Sequence, residues 1–586
     1  MRKTTNAMAR AYTFTFCIFT FVASSIAVNF SQCHIAVQNA LDNAFISNAS
    51  DVSPLYQGPL RGFRLTEDQR PLTLTQQGCK DWCGSGSQIN GIIEAFQIVT
   101  TWVLPSLALF NQLPFESLSN KKKNNLKALF NWVGSPAATL STTLWNIRMI
   151  QKCRVLSDTF TDVRLDSEST DSLYILSCIN QYEYPRRSAR DSRYQTNGTT
   201  DWARADRRRD VALLRGVLFP YVGSTGLSND LREQLVNLNQ HLAFQLRLQR
   251  RRGVWPLAFN LVWFLLAFIF SIVVAFDESL GDNSTAHSLA LGLLLTWLPV
   301  VVVATIVDRN PISATRCKVL IERWLYNIDG LFAMDLRSPQ PRLPRHEWAR
   351  GEQTDTFSVG GFVGQGRRMR YCAVTDTVLD MIGNKTSTEM PLPGPDQATI
   401  LQTNLPKRSP AWYGVWVLSG LIVTLAFGMA FLVSYKTPTV GLGCRSLAYM
   451  VWYLTSSISW VLLFFCQEPH RVVRYISQVA NALAAVFLWA IMLLQVLNGM
   501  NNCFCKSSAF ETGLSNGYMD FESGPFYQVA YDVVLTWGVA TGFGLAGCFS
   551  VLFWLFRRYD GDKKLWRVKE QAEMRVLEGV SLEWLT

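Results

Sequence analysis

The chain has 586 residues, 49% hydrophobic and 12% aromatic, with only 17% charged and a formal net charge of +11. Its mean hydropathy is +0.11. The apolar residues gather in uncharged blocks of roughly 20 and do not recur at helical or strand periods, which argues for a membrane protein and against one large soluble core.

At the amino terminus, Arg2, Lys3 and Arg10 precede a short apolar run from Ala11 to Ala23, and Ser25-Ile26-Ala27 offers small residues for cleavage. This is the pattern of a secretory signal peptide over 1–27, an uncleaved anchor helix being the alternative. Either way the following residues are delivered outside or into the lumen. Residues 28–90 are polar and loop-like, and Asn29 and Asn48 stand in acceptor sequons, so a small glycosylated ectodomain is expected.

Spans are expected at about 91–112, 254–276, 288–307, 412–434, 446–466, 477–497 and 532–556. An eighth segment, Ala128 to Ile147, is interrupted by Asn131, Gly134 and Pro136 and is rich in hydroxyl groups. Lys121-Lys122-Lys123 precedes it, and a loop with Arg186, Arg187, Arg190, Arg207, Arg208, Arg209 and Arg250-Arg251-Arg252 follows. Basic residues near membrane ends stay cytosolic, so both flanks share one side and the segment dips in and returns or lies on the surface. The loop 277–287 with sequon Asn283 then falls outside, whereas 113–253, 308–411 and the tail 557–586 fall inside. Asn197 and Asn384 become cytosolic sequons by chance.

Of thirteen cysteines, this topology places Cys33, Cys79, Cys83, Cys444, Cys503 and Cys505 in the oxidising compartment, where they are expected to form bridges whose pairing the sequence leaves open. The stretch QQGCKDWCGSG around Cys79 and Cys83 lacks both the spacing of a thioredoxin-like pair and enough histidine nearby for zinc, with only His34 and His287 at hand. It reads as a structural knot.

Among the inner segments, Ser228 caps a predicted helix carrying Leu231, Leu235, Leu238 and Leu242 on one stripe. A second predicted helix carries Leu320, Trp324 and Ile328, with docking at an anionic membrane surface as the simple reading. In SVGGFVGQGRRMRYCAV (358–374), four glycines precede Arg367, Arg368 and Arg370. That combination can hold a phosphate, but it lacks a nucleotide fingerprint, and a hairpin between short strands with arginines toward headgroups or water is the expectation. The candidate anionic-lipid contacts are therefore Arg250, Arg251, Arg252, Arg367, Arg368 and Arg370.

Chemistry-bearing motifs are sparse. Gly513-Leu514-Ser515-Asn516-Gly517 matches a hydrolase elbow but sits in a short outer loop. His470 is one of only five histidines. Asp308-Arg309-Asn310 lies where G-protein-coupled receptors often carry an acid–arginine pair, yet the last span has no N-P-x-x-Y and the first inner loop is long. Glu94 and Asp532 lie near the outer edges of their spans, Gln97, Asn260 and Thr296 could line a path, and Gly414, Gly420, Gly428, Gly538, Gly542, Gly544 and Gly547 suggest close helix packing. No cofactor, metal, catalytic residue or nucleic-acid partner is expected.

QGCKDWCG before the first span, NWVGSP in the interrupted segment and GGFVGQGRRMRY in the long inner loop resemble uncharacterised multi-pass membrane proteins of filamentous fungi. The resemblance implies an origin and no activity. The expectation is an all-α polytopic membrane protein with about seven transmembrane helices, one re-entrant or interfacial helix and a small disulfide-tied ectodomain. It is expected to sit in the plasma membrane or another secretory-pathway membrane and to act as a non-enzymatic surface or scaffold-like protein. The alternative is a transporter or channel for a small polar substrate, which would need a polar cavity at mid-depth.

Overall fold

A computed structural model of the chain describes residues 29–43, 55, 72–115, 122–159, 163–184, 199–222, 227–250, 255–276, 283–308, 311–335, 356–383, 391–405, 407–437, 441–466, 471–507, 510, 517–520 and 531–561. The expected signal peptide, Asn48, Asn197, Arg251, Arg252, Asn384 and His470 lie outside the described residues.

A head is built first, from α1 (Phe30–Asp42), a strand β1 (Thr73–Thr75) and α2 (Gln76–Cys83). The Thr75 hydroxyl accepts from Gly78 N at 3.0 Å and so caps α2. The chain then forms α3 (Ile92–Ile98), a π-helical turn (Val99–Val103) and α4 (Leu104–Gln112), followed by α5 (Lys122–Gly134) and α6 (Pro136–Thr159), which meet at Ser135. Next come α7 (Val163–Ile179), α8 (Thr199–Leu218), α9 (Asn229–Leu248), α10 (Trp255–Phe276), α11 (Asn283–Leu294), α12 (Trp297–Val307), α13 (Ala314–Asp335), α14 (Val374–Gly383) and α15 (Pro395–Asn404). The last stretch holds α16 (Pro410–Lys436), α17 (Cys444–Phe465), α18 (Arg471–Val496), the short α19 (Cys503–Lys506), β2 (Tyr518–Asp520) and α20 (Tyr531–Gly561).

Among the described residues the fold is all-α apart from the antiparallel pair β1–β2, in which Leu74 lies opposite Met519. Among the described residues, six helical stretches are long and apolar enough to cross a membrane: α10, Ala286–Val307 through α11 and α12, α16, α17, α18 and α20. The first expected span is helical too, but the π turn divides it into shorter pieces. These helices alternate in direction. Asn90 Nδ2 donates to Val496 O and Arg445 to Thr437 O at the head end. At the opposite end Arg408 donates to Leu463 O, and Arg250 lies 5.8 Å from the Tyr559 ring.

The centre of the bundle is Ala286–Val307, whose most apolar stretch is 94% buried, whereas α10 is only 28% buried and turns Phe259, Phe270 and Val273 outward. A helix enclosed on every side needs no polar face, and one at the rim of a membrane bundle is apolar outward.

The interrupted segment 128–147 packs into this bundle. Lys127 lines a cleft with Arg474, Ser477 and Gln478 of the first turns of α18. Farther in, Asn481 Nδ2 donates to Asn131 Oδ1 at 2.9 Å, and Ser135 Oγ donates to Ser456 O at 2.8 Å. The path then returns, through a Ser141–Ser419 hydroxyl contact and an Asn146–Asp308 bond, to Lys152 beside Asp376. Ser135 therefore lies about ten residues, or roughly 15 Å, inside the ends of α17 and α18. Gly134 permits this approach, since a Cβ there would collide with the Asn481 backbone. Residues 136–147 are buried throughout, so this stretch does not lie on a surface.

Beyond the bundle, α7, α8, α9, α13, α14 and α15 pack on one another and on the second half of α6. Ser228 caps α9 as expected, its hydroxyl accepting from Leu231 N at 3.3 Å. Yet Leu235 and Leu242 are buried against protein, as are Trp324 and Ile328 of α13. Neither helix docks on a membrane surface through these stripes: Trp324 Nε1 donates to Asn239 Oδ1 at 2.8 Å, and Arg247 pairs with Asp171 at 2.7 Å. The expected glycine packing holds in part. A Cβ on Gly420, Gly544 or Gly547 would strike Trp460, Leu293 or Leu425, whereas Gly414, Gly428, Gly538 and Gly542 face open space.

The six cysteines of the head form Cys33–Cys83, Cys79–Cys503 and Cys444–Cys505. Val37, Leu74, Cys79 and Met519 give the head only a small core, so covalent ties supply what burial cannot. Peptide mapping of the non-reduced protein is expected to recover these three pairs, and Cys79→Ala is expected to cost about 2–4 kcal/mol in a denaturation midpoint assay. Recovery of a Cys79–Cys83 pair would contradict the arrangement.

Candidate functional site, a basic cleft at the end of the bundle

The glycine-rich stretch does not form a strand hairpin. It runs beside residues 181–183 through one isolated bridge, Tyr182 to Phe362, with Glu183 N donating to Gly361 O at 2.9 Å and Val363 N to Gln181 O at 2.7 Å. Gln365 and Gly366 then take φ of 61° and 66° and make a tight turn. A Cβ on Gly366 would meet Thr139 as well as a strained backbone. The turn is a wedge against the tip of α5 and α6: Trp132 Nε1 donates to Gln365 O at 2.7 Å, and Asn131 Nδ2 to Arg367 O at 2.9 Å. Gln365 N donates to Asp308 Oδ2 at 2.6 Å, which also accepts from Asn146.

This wedge floors a cleft of about 190 Å³ whose other walls are α5, the end of α17 and the start of α18. Lys127, Arg368, Arg370, Arg408 and Arg474 line it, with Glu183 as its acid. Arg368 and Arg370 both reach Glu183 Oε1, at 3.1 and 3.0 Å. Burial alone would raise the Glu183 carboxyl, but Arg370 and then Arg368 outweigh it and hold the group below the ordinary carboxylate range. Arg408 caps the last carbonyls of α17 and stacks 4.3 Å from the Trp412 ring, while burial lowers its own pKa. Arg474 is exposed and makes no salt bridge among the described residues.

The polar floor continues inward. Ser459 Oγ lies 2.7 Å from Ser477 Oγ and also donates to Asn481, which holds Asn131. The described lining contains no histidine, and its one thiol, Cys466, is half-buried near the Arg408 guanidinium. The arrangement can bind an anion; it does not assemble a nucleophile with a base.

Of the sequence-predicted lipid contacts, only Arg368 and Arg370 belong to this cleft. Arg367 is turned away, donating to Pro114 O and lying 5.4 Å from the Phe362 ring. Arg250 sits elsewhere, at a bridge to Pro311. Asn29 is exposed and accepts from Gln32 N at 3.2 Å, and Asn283 opens α11. The expected path residues do not converge: Asn260 is spent on Ala108 O, and Thr296 on a carbonyl of its own helix. Sequence reading missed Lys127, Arg408 and Arg474, because the cleft draws each from a distant segment. The single local signal was a basic residue at a helix end, as at Arg408 and Arg474, and charge topology alone produces that everywhere.

No known protein family, curated protein or solved structure matches the chain.

The Glu183 carboxyl has a depressed folded-state pKa, so its stabilisation is complete above the ordinary carboxyl value of about 4.3 and is lost as pH falls through the lower folded value. Glu183→Gln is expected to lower thermal stability at neutral pH and to flatten the acid limb in melts followed by circular dichroism. Parallel wild-type and variant pH profiles would contradict the pairing.

Proposed function

We propose that the protein is a non-enzymatic, polytopic membrane scaffold of the secretory pathway or plasma membrane, related to proteins of filamentous fungi. Seven crossings and a re-entrant hairpin, α5–α6, hold a disulfide-tied head outside and a basic helical domain inside. The bilayer and anionic headgroups are its immediate partners, and nucleic acid is not among them.

The observation that carries this reading is the filled centre. Ala286–Val307 is 94% buried in its most apolar stretch, and Trp102, Trp145, Trp297, Trp452 and Trp537 are fully buried in the same core. A transporter alternates access around a polar site near mid-depth, whereas here the basic cleft lies at one end and the Trp297 and Trp452 indoles fill the bundle middle. Trp297 and Trp452 stack with centroids 6.1 Å apart. Rigid packing of this kind suits a body that displays two surfaces.

The orientation supports the same reading. The head that contains all three disulfides belongs in an oxidising compartment, and the arginine-rich helical domain at the other end belongs in the cytosol. Glycosidase-sensitive mass is expected on Asn29 or Asn283 and none on Asn197 or Asn384, with a carboxyl-terminal tag digested by protease added to sealed microsomes, whose cytosolic face is outward. Reconstituted protein is expected to leave the ion and solute permeability of vesicles unchanged. A glycan on Asn197, or saturable flux, would overturn the proposal.

A further inference from the structure

We propose that the cleft between α5, α17 and α18 binds the phosphomonoester headgroup of a membrane lipid, with Arg368, Arg370, Arg408 and Arg474 as its ligands. The inference rests on the reading that α17 and α18 cross the membrane. Its first support is charge: Arg368, Arg370, Arg408 and Arg474 face one carboxylate, Glu183, around a single cavity. Two guanidiniums share one Glu183 oxygen, so each keeps donors directed elsewhere, and Arg474 has no acidic partner among the described residues. A dianion balances this excess better than a singly charged phosphodiester does.

The second support is position. The cleft lies where α17 ends and α18 begins, and Phe465 and Val472 on these two ends are 74% and 59% exposed. Apolar side chains that exposed mark the depth at which helices meet lipid. A cavity of about 190 Å³ far exceeds the ~15 Å³ that one water needs. Its lining also sets the neutral polar groups Ser459, Ser477 and Asn131, held in their own hydrogen bonds, beside the arginines.

The free thiol Cys466 lines the same cavity and reports on it. The full-length protein is placed in phosphatidylcholine nanodiscs, and alkylation of Cys466 is timed by peptide mass spectrometry. Phosphatidic acid is expected to slow it about tenfold, and Arg474→Gln to raise the amount of phosphatidic acid required about tenfold, the worth of one charge-assisted hydrogen bond. Arg474→Lys is expected to restore part of the effect. Arg557→Gln, an exposed cation outside the cleft at the end of α20, is expected to change nothing. Slow alkylation of buried Cys153 verifies that each variant is folded, and resistance to carbonate extraction scores the membrane reading separately.

Equal protection by phosphatidylglycerol would overturn the proposed selectivity. Protection by inorganic phosphate alone would overturn the lipid source. An Arg557→Gln effect as large as that of Arg474→Gln would reduce the site to general surface charge and overturn it altogether.

Discussion

Hydrocarbon offers no partner to an amide or hydroxyl, so a helix rich in both can share the depth of apolar spans only where protein surrounds it. That constraint governs α6. Asn131, Ser135, Ser141 and Asn146 find their bonds on Asn481, Ser456, Ser419 and Asp308, which belong to α18, α17, α16 and the end of α12. Four apolar helices are thereby held around the polar hairpin of α5 and α6. The wedge at Gln365 and Gly366 closes the remaining side, with Asp308 accepting from Gln365 N and Trp132 donating to Gln365 O. The basic cleft exists because this wedge, the tip of α5 and the ends of α17 and α18 must all meet there.

The apolar helices were legible in the sequence because lipid-facing surface leaves a continuous signal, as in α10 with its outward Phe259, Phe270 and Val273. The polar hairpin was legible only as an anomaly. Its low hydropathy states correctly that it does not face lipid, but does not say that protein encloses it instead. The same ambiguity affects Leu235 and Trp324: an apolar stripe on a helix fits a membrane surface and a protein core equally well, and burial against α7 and α8 decides for the core. The basic cleft was least legible, since Lys127, the 368–370 arginines, Arg408 and Arg474 converge only after the chain has folded back repeatedly.

The two ends of the molecule are stabilised by different means, as their sizes require. At the head, Cys33–Cys83 ties α1 to α2, Cys79–Cys503 fastens α2 to α19, and Cys444–Cys505 fastens α19 to α17. At the other end, buried polar contacts stand in for covalent ties. Tyr184 donates to Asp210 Oδ1 at 2.8 Å, Gln402 donates to the same carboxylate, and Arg209 pairs with both Asp206 and Asp210. Burial raises the Asp210 carboxyl despite Arg209 beside it, so this cluster gives up stability as pH rises, opposite in sign to Glu183. Such a network specifies one packing of α8 and α15 more than it adds net energy.

The enclosure of α6 is tested most directly by replacing Ser141, Thr142 and Thr143 singly with leucine and measuring unfolding of the protein in nanodiscs. Overpacking an enclosed site is expected to cost about 1–3 kcal/mol at each position. If the leucine variants are as stable as the parent or more so, these side chains face lipid, and the account of a polar helix held by its neighbours is contradicted.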